Sequence, residues 1–452
     1  MLHRDSPFQS PAYRLLFTAQ ATSLAGTGVT TVALALLAVE LAGDNAGLVL
    51  GIALALKMVV YVLGAPVLGT LATRFPRRQW LIGLDLARAG LVLMLPFVTA
   101  TWQLYVLVVL INLCAASFTP VFQATVPIVL NDEPRYRRAL SYSQVAQSLE
   151  QLGSPLIAAL LLTVMSFDVL FTINAATFLF SASMILAASI PDDQRTRVQR
   201  TLDQALRGVN AYLRTPRLRA AFAMYFAVAA GSAMIIVNSV VYVVGVLSMP
   251  ENLLGVALAA SGAGTMGGAI LAPRLLDRLS HRPVMLAGTA LLVAALAIGT
   301  TLPGWPLFLL TWFIMGAGLG LTQTPVGSLV RMSCHERDSD AFFAANFSLS
   351  HLCWFFAYLG AGWIGTTFGM AAAFSVAAGV AVASLIALFS LFPNPDPLHI
   401  RHRHDEIVHR HPGAHDEAHQ PDDTATEHRH ASVEHTHYYV IDEHHPRWAR
   451  EG

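Results

Sequence analysis

The sequence predicts an all-α membrane protein of twelve transmembrane helices in two six-helix halves, followed by a disordered C-terminal tail. Three observations support this: the composition, the distribution of arginine between loops, and an internal repeat. The 452-residue chain is 55% hydrophobic and 12% charged, whereas soluble proteins carry about 25% charged residues. Such a deficit is typical of helices that face lipid. The formal net charge of zero gives no indication of a nucleic-acid partner.

Twelve apolar segments are each long enough to cross a bilayer as a helix, which takes about 20 residues. They span roughly 12–42, 46–72, 79–100, 103–130, 139–165, 168–190, 219–247, 252–276, 283–302, 305–330, 340–365 and 368–392. The segments divide the chain into an N-terminal half (1–190), a cytoplasmic linker (191–218), a C-terminal half (219–392) and a tail (393–452).

Basic residues occur in alternate loops only. Arginines cluster around residues 74–78, 135–138, 195–219, 274–282 and 331–337, while the intervening loops near Asp44, Thr101, Asp168, Glu251 and Pro303 hold no Lys or Arg. Since short cytoplasmic loops are enriched in Lys and Arg, we expect the basic loops and both termini in the cytoplasm of a bacterial-type inner membrane. We refer below to the arginine-rich and arginine-free ends of the bundle.

The two predicted halves share a sequence repeat. Gly64–Arg78 reads GAPVLGTLATRFPRR, and 204 residues later Gly268–Arg282 reads GAILAPRLLDRLSHR. In addition, Thr119-Pro120-Val121 matches Thr324-Pro325-Val326 to within one residue of the same offset. Two equivalent halves of about 200 residues are typical of secondary transporters.

The repeated stretch resembles the loop between helices 2 and 3 of the major facilitator superfamily, over roughly residues 12–392. Thr73 replaces the usual Asp in the first copy, and Asp277 keeps it in the second. The resemblance implies that this loop gates the inward opening, and that one pair on helix 3, Asp85 and Arg88, braces it. The predicted gating residues are Arg74, Arg78, Asp277, Arg278, Arg282, Asp85 and Arg88.

Three ionisable residues fall near the predicted membrane midplane, where transporter sites usually lie. Lys57, the only lysine of the chain, lies about 22 Å from the cytoplasmic end of its helix, and Glu150 and His351 lie about 17 Å in. A charge at that depth predicts a partner or a wet cavity. Glu150 is the candidate for proton coupling, because burial raises the pKa of a carboxyl group. Further candidates for the transport path are Asn112, Gln123, Asn238 and Gln323.

The linker contains apolar residues at helical spacing among arginines, such as Leu202, Leu206, Val209 and Leu213. Two interpretations fit this pattern: an amphipathic helix on the inner membrane face, or a solvated linker helix without lipid contact.

The tail holds 13 of the 17 histidines and little apolar sequence, which predicts a mostly disordered segment. Imidazoles mixed with carboxylates suit Ni, Co, Zn or Cu, although the spacing matches no closed zinc site. The candidate ligands are His402, His404, His409, His411, His415, His419, His428, His430, His435 and His437. No cofactor is required by any motif.

The transmembrane part and the histidine-rich end resemble the nickel- and cobalt-resistance exporters of the superfamily, and the transmembrane part resembles its drug and siderophore exporters almost as well. No glycine-rich loop followed by Lys-Ser or Lys-Thr is present to couple ATP, so we expect a proton-driven antiporter and not an enzyme. The first hypothesis is export of a divalent metal, nickel or cobalt. The second is export of a drug or siderophore-like compound, and a remote third is a metal sensor without transport. Lys57 disfavours free cations unless an acid compensates its charge.

Overall fold

The computed structural model describes residues 6–64, 75–130, 160–190, 202–335 and 338–394, four short strands in the tail, and the isolated positions 135–136, 139, 142–143, 146, 157–158 and 396. The helices, in chain order, are α1 (Pro11–Ala42), α2 (Ala46–Val59), α3 (Arg77–Leu93), α4 (Thr101–Leu130), α5 (Phe167–Ala187), α6 (Leu202–Arg214), α7 (Pro216–Ile236), α8 (Asn252–Leu276), α9 (His281–Gly299), α10 (Trp305–Gln323), α11 (Val326–Arg331), α12 (Ser339–Phe368) and α13 (Met370–Leu391). A π-helical turn, Val60–Gly64, continues α2, and a second, Val241–Val246, follows α7 after the short helix Asn238–Val240.

Ten helical stretches among the described residues are long and apolar enough to cross a membrane. One of them, Pro11–Val62, is 52 residues long and contains both the first and the second predicted helix. The fifth predicted helix, 139–165, lies largely outside the described residues. The remaining nine stretches correspond to the other nine predicted helices. Helices α10 and α11 together correspond to the tenth predicted helix, 305–330.

The buried core shows where the two halves meet. Three of the four buried apolar clusters each draw on one half only, and one of these also includes linker residues such as Tyr212. The fourth joins the N-terminal half to residues at the arginine-free ends of α7 and α8, and to one residue of α12: Ala233, Val237, Val240, Leu254 and Tyr358. Among the described residues, the buried contact between the halves is therefore concentrated toward the arginine-free end.

Glycines allow α2 and α12 to approach closely at that same end. A Cβ atom at Gly51 would lie 2.5 Å from the carbonyl oxygen of Tyr358, and one at Gly362 would overlap the carbonyl oxygen of Gly47. Small residues at such positions let the backbones of two transmembrane helices touch. This contact fixes how the following turns of α2 face α12.

The linker helix α6 packs against the C-terminal half. The Tyr212 side chain is fully buried, and its hydroxyl donates a 2.8 Å hydrogen bond to Oδ1 of Asn346 on α12. A Cβ atom at Gly208 would lie 2.9 Å from the carbonyl oxygen of Ala341. Burial raises the pKa of Tyr212 well above its ordinary value. One face of the linker is thus covered by protein, an arrangement that neither sequence interpretation included.

The tail contains strands where disorder was predicted, so that prediction is not confirmed. Strand β1 (His399–His404) pairs antiparallel with β4 (Val433–Tyr438), and β2 (Ile407–Arg410) pairs antiparallel with β3 (Glu427–His430). The register places His402 opposite His435 and His409 opposite His428. Ile400, Ile407, Val408, Val433, Thr436 and Tyr438 in three of these strands belong to residue types that favour strands.

Candidate functional site

Two of the three predicted midplane residues come together between the halves. Lys57 lies in the last turn of α2, and His351 lies on α12. Tyr61, in the π-helical turn after α2, stands between them. The Lys57 Nζ is 5.7 Å from the centre of the Tyr61 ring, and the Tyr61 and His351 ring centres are 6.0 Å apart at 89°. Since both groups lie against the same Tyr61 ring, they form one site.

Lys57 has no counter-charge in the part of the chain that the structure describes. No carboxylate there lies within ion-pair distance of its ammonium, and its side chain is only partly exposed. A lysine at the middle of a membrane costs about 2.5–3.5 kcal/mol on insertion scales, whereas a cation–π contact returns about 0.5–2 kcal/mol. The Tyr61 ring therefore compensates only part of the cost.

The orientation of His351 is fixed by its own helix. Its Nδ1 lies 2.7 Å from the carbonyl oxygen of Phe347, one turn earlier, and its ring stacks on the Phe347 ring at 3.8 Å. Because a carbonyl oxygen only accepts hydrogen bonds, Nδ1 is the protonated nitrogen. The Nε2 atom of the neutral ring is then left as an acceptor.

Aromatic rings complete the surroundings of this pair. Trp354 on α12 lies 5.3 Å from His351 at 77° and 6.3 Å from Tyr225 on α7. The Trp354 Nε1 is buried and has no hydrogen-bond partner among the described residues. We call the surface formed by Lys57, Tyr61, Phe347, His351 and Trp354 the aromatic junction.

Sequence reasoning found the two titratable members of the aromatic junction and missed the three aromatic ones. Tyr61 follows Lys57 by four residues, and Phe347 and Trp354 flank His351 at four and three residues. Side chains at these spacings share a helix face. A search for aromatic residues one turn from each membrane-embedded charge would have identified them.

The predicted pair on α3 is buried within the N-terminal half. Asp85 is fully buried, and Arg88 is 6% exposed. They form an ion pair, and the Ser181 hydroxyl on α5 donates a 2.7 Å hydrogen bond to Asp85 Oδ2. The Arg88 guanidinium lies 4.3 Å from the Phe118 ring and 4.4 Å from the Phe178 ring. In the described structure, this pair therefore connects α3, α4 and α5 within one half.

Two predicted gating arginines occupy equivalent places in the two halves. Arg78, at the start of α3, donates to the carbonyl oxygen of Leu186 near the end of α5. Arg282, at the start of α9, donates to the carbonyl oxygen of Phe389 near the end of α13, at 2.9 Å. Free carbonyls at a helix C-terminus attract cations. Each arginine thus ties the first helix after the repeated loop to the last helix of its own half.

The other gating candidates show less contact. Asp277 and Arg278 are exposed, and their side chains form no hydrogen bond or ion pair with the described part of the chain. Arg74 lies outside the described residues.

The other transport-path candidates that the structure describes form different contacts. Asn112 donates to the Val108 carbonyl of its own helix at 2.7 Å, and Gln123 is exposed on α4. Asn238 is buried and its side-chain amide donates to the Ala361 carbonyl oxygen at 3.4 Å, so it contributes to the contact between helices. Gln323 is partly buried at the end of α10. Glu150 and the tail residues His411, His415 and His419 lie outside the described residues.

No group of three or more His, Cys, Asp or Glu side chains that could hold a metal ion occurs among the described residues searched. In that part of the chain, the aromatic junction offers one imidazole beside an ammonium. This combination favours anionic or neutral ligands over a divalent cation.

Comparison with known proteins agrees with the repeat and the fold. The Major Facilitator Superfamily model matches residues 16–250 and 221–414. An uncharacterized MFS-type transporter, YfiS of Bacillus subtilis (strain 168), is 28% identical over 334 residues, covering 70% of this chain and 78% of that protein. Macrolide efflux protein A of Streptococcus pyogenes is 26% identical over 181 residues, or 39% of this chain. The match spans 44% of that relative's length.

Solved structures show the same fold at low sequence identity. The nucleoside transporter NupG superposes with a TM-score of 0.69 at 12% identity, covering 84% of this chain and 99% of NupG. A D-xylose-proton symporter gives a TM-score of 0.65 at 14% identity, covering 88% and 99%. The family model matches both halves, and the chain therefore belongs to the Major Facilitator Superfamily, as a multi-pass membrane protein that acts as a secondary transporter and not as an enzyme.

Proposed function

We propose that this protein exports amphipathic organic compounds from the cytoplasm across a bacterial plasma membrane, in exchange for protons. The main support is the aromatic junction, where both halves contribute rings around an ammonium that has no carboxylate partner among the described residues. Rings at right angles present apolar faces and edges to a ligand. The partial similarity to macrolide efflux protein A agrees with an organic substrate.

The transport cycle follows from where the halves touch. The described buried contact between them lies toward the arginine-free end, and we expect that end to face the exterior. The halves would then separate at the cytoplasmic end, where an exporter loads its substrate. Rocking about the aromatic junction exposes it to the other side. Glu150 remains our candidate for the proton-coupling acid, and Arg78 and Arg282 keep each half rigid during the movement.

Nickel or cobalt export is the second candidate, and the tail is the observation that favours it. The strand register brings His402 opposite His435 and His409 opposite His428, which groups histidine positions from distant parts of the tail. The ammonium of Lys57 on the transport path opposes it, because a divalent cation would be repelled there. Sensing of metal without transport explains neither the repeat nor the aromatic junction.

Everted membrane vesicles test the two candidates side by side. Energised vesicles with the wild-type protein should accumulate at least one of three amphipathic dyes, one anionic, one neutral and one cationic, and should not accumulate ⁶³Ni²⁺ or ⁵⁷Co²⁺. A variant lacking residues 399–452 should accumulate the organic compound equally well. Accumulation of the metal ions alone, lost in the truncated variant, would refute the proposal and favour metal export.

A further inference from the structure

We propose that the aromatic junction binds an anionic group, so that the physiological substrates are amphipathic organic acids with a flat apolar body. This inference rests on the proposed function and specifies its substrate class. The reasons are the lack of a carboxylate beside Lys57 among the described residues, the fixed orientation of His351 and the arrangement of the rings.

A structural role does not account for Lys57. A structural lysine at this depth needs an acid beside it or access to the membrane surface. The described part of the chain offers no acid within ion-pair distance, and the sequence predicts the cytoplasmic end of the helix about 22 Å away by helical rise. In the described structure, its ammonium lies over the Tyr61 ring, 5.7 Å from the ring centre. A substrate anion would supply the missing counter-charge in surroundings of low dielectric constant, where charge pairing is strong.

His351 adds a second polar group to the same site. The Nδ1 proton of His351 is donated to the Phe347 carbonyl oxygen. A ligand can therefore form a hydrogen bond with the imidazole only through Nε2. A neutral ring accepts a hydrogen bond there, for example from a hydroxyl next to the carboxylate of the substrate. A ring that takes up a proton donates through Nε2 to the anion itself. Both states suit an oxygen-rich acidic group.

The rings determine the shape of the remaining part of the substrate. The ring planes of Tyr61 and Trp354 lie at 89° and 77° to the plane of the His351 imidazole. The Phe347 ring is stacked on the imidazole. An aromatic or alicyclic body inserted here would meet ring faces and ring edges from both halves. The buried Trp354 N–H has no partner in the described structure, and it gains access to an acceptor on the ligand when the halves separate.

Three probes with one ring system and three charges test the assignment: 2-naphthoate, 2-naphthamide and 2-naphthylmethylammonium. Binding to the purified full-length protein in detergent is measured by calorimetry. The wild-type protein should bind the carboxylate about tenfold or more tightly than the amide, as expected for one charge-assisted contact, and the ammonium most weakly. Lys57→Met should reduce carboxylate affinity to that of the amide and leave amide affinity within about twofold.

Lys57→Arg is the matched control, since it retains the charge and should retain the preference for the carboxylate. Unchanged amide binding shows that Lys57→Met is folded. Equal carboxylate affinity in wild type and Lys57→Met, a preference for the ammonium, or no binding of any probe would overturn the assignment. Dye export by wild-type vesicles without a charge preference among the probes would refute the acid specificity and leave the proposed function intact. Metal export without export of any organic compound would refute both.

Discussion

The two halves repeat one sequence pattern but are held together by different interactions. In the N-terminal half, α3 is fixed by a buried ion pair, Asp85 with Arg88, and by the hydroxyl of Ser181. The offset of 204 places Thr289 and Leu292 of α9 at the positions of the pair, and both are fully buried. The C-terminal half therefore has an uncharged core where its counterpart has charges.

In the C-terminal half, glycines bring α8 and α10 into close contact. A Cβ atom at Gly264 on α8 would overlap the carbonyl oxygen of Phe313 on α10, and one at Gly316 would overlap that of Ser261. The repeat offsets place Val60 and Ile111 at these positions in the first half. The difference teaches that a duplicated topology fixes helix order, while each half finds its own means of close packing.

Breaking the ion pair should give the largest effect. Arg88→Leu leaves the Asp85 carboxylate buried without its partner, which costs about 3–5 kcal/mol of the free energy of unfolding. The double variant Asp85→Thr/Arg88→Leu copies the C-terminal half and should recover most of that loss. Unfolding in mixed detergent micelles measures both. A double variant as unstable as Arg88→Leu would show that the charges themselves are required.

Replacing a glycine of α8 by the residue found at the equivalent position of the N-terminal half should give the next largest effect. Gly264→Val introduces side-chain atoms against the backbone of α10, and overpacking of this kind costs about 1–3 kcal/mol. The control is Gly267→Ala on the same helix, where a Cβ atom would meet nothing within 4 Å. Thermal unfolding in detergent should shift for the first variant only. Equal shifts would mean that helix propensity and not close contact controls stability there.

The equivalent arginines test whether the halves contribute equally to cycling. Arg78→Ala and Arg282→Ala should each slow transport about three- to tenfold, the change that roughly 0.7–1.4 kcal/mol produces in a rate. Substrate affinity should stay nearly unchanged, because neither residue lies at the aromatic junction. Vesicle transport and equilibrium binding separate the two quantities. A loss of affinity with normal turnover would contradict a gating role.

The smallest expected effect concerns the linker, which packs on one half only. Tyr212→Phe removes the hydroxyl that donates to Asn346 and should cost about 1 kcal/mol of stability. Tyr142→Phe in the N-terminal half changes an exposed ring and serves as the control. Limited proteolysis within 191–218 should accelerate for Tyr212→Phe alone. Equal cleavage of both variants would indicate that α6 is held by its apolar face.

The sequence by itself determined the features that depend on local composition and periodicity. Apolar length marked the membrane helices, the 204-residue offset marked the repeat, and the loop Gly268–Arg282 indicated the superfamily. It also singled out Lys57 and His351, since a charged or titratable residue in an apolar helix is conspicuous without any structure.

Only the tertiary structure decided which of these residues meet. Lys57 and His351 are distant in the chain, and their approach depends on the glycine contact between α2 and α12. The burial of Asp85 with Arg88 and the docking of Tyr212 on Asn346 likewise depend on neighbouring helices. Periodicity reports which face of a helix is apolar, whereas packing between helices is set by side-chain shapes on both partners. For that reason the sequence indicated the polar members of the site, and the fold supplied the aromatic rings around them.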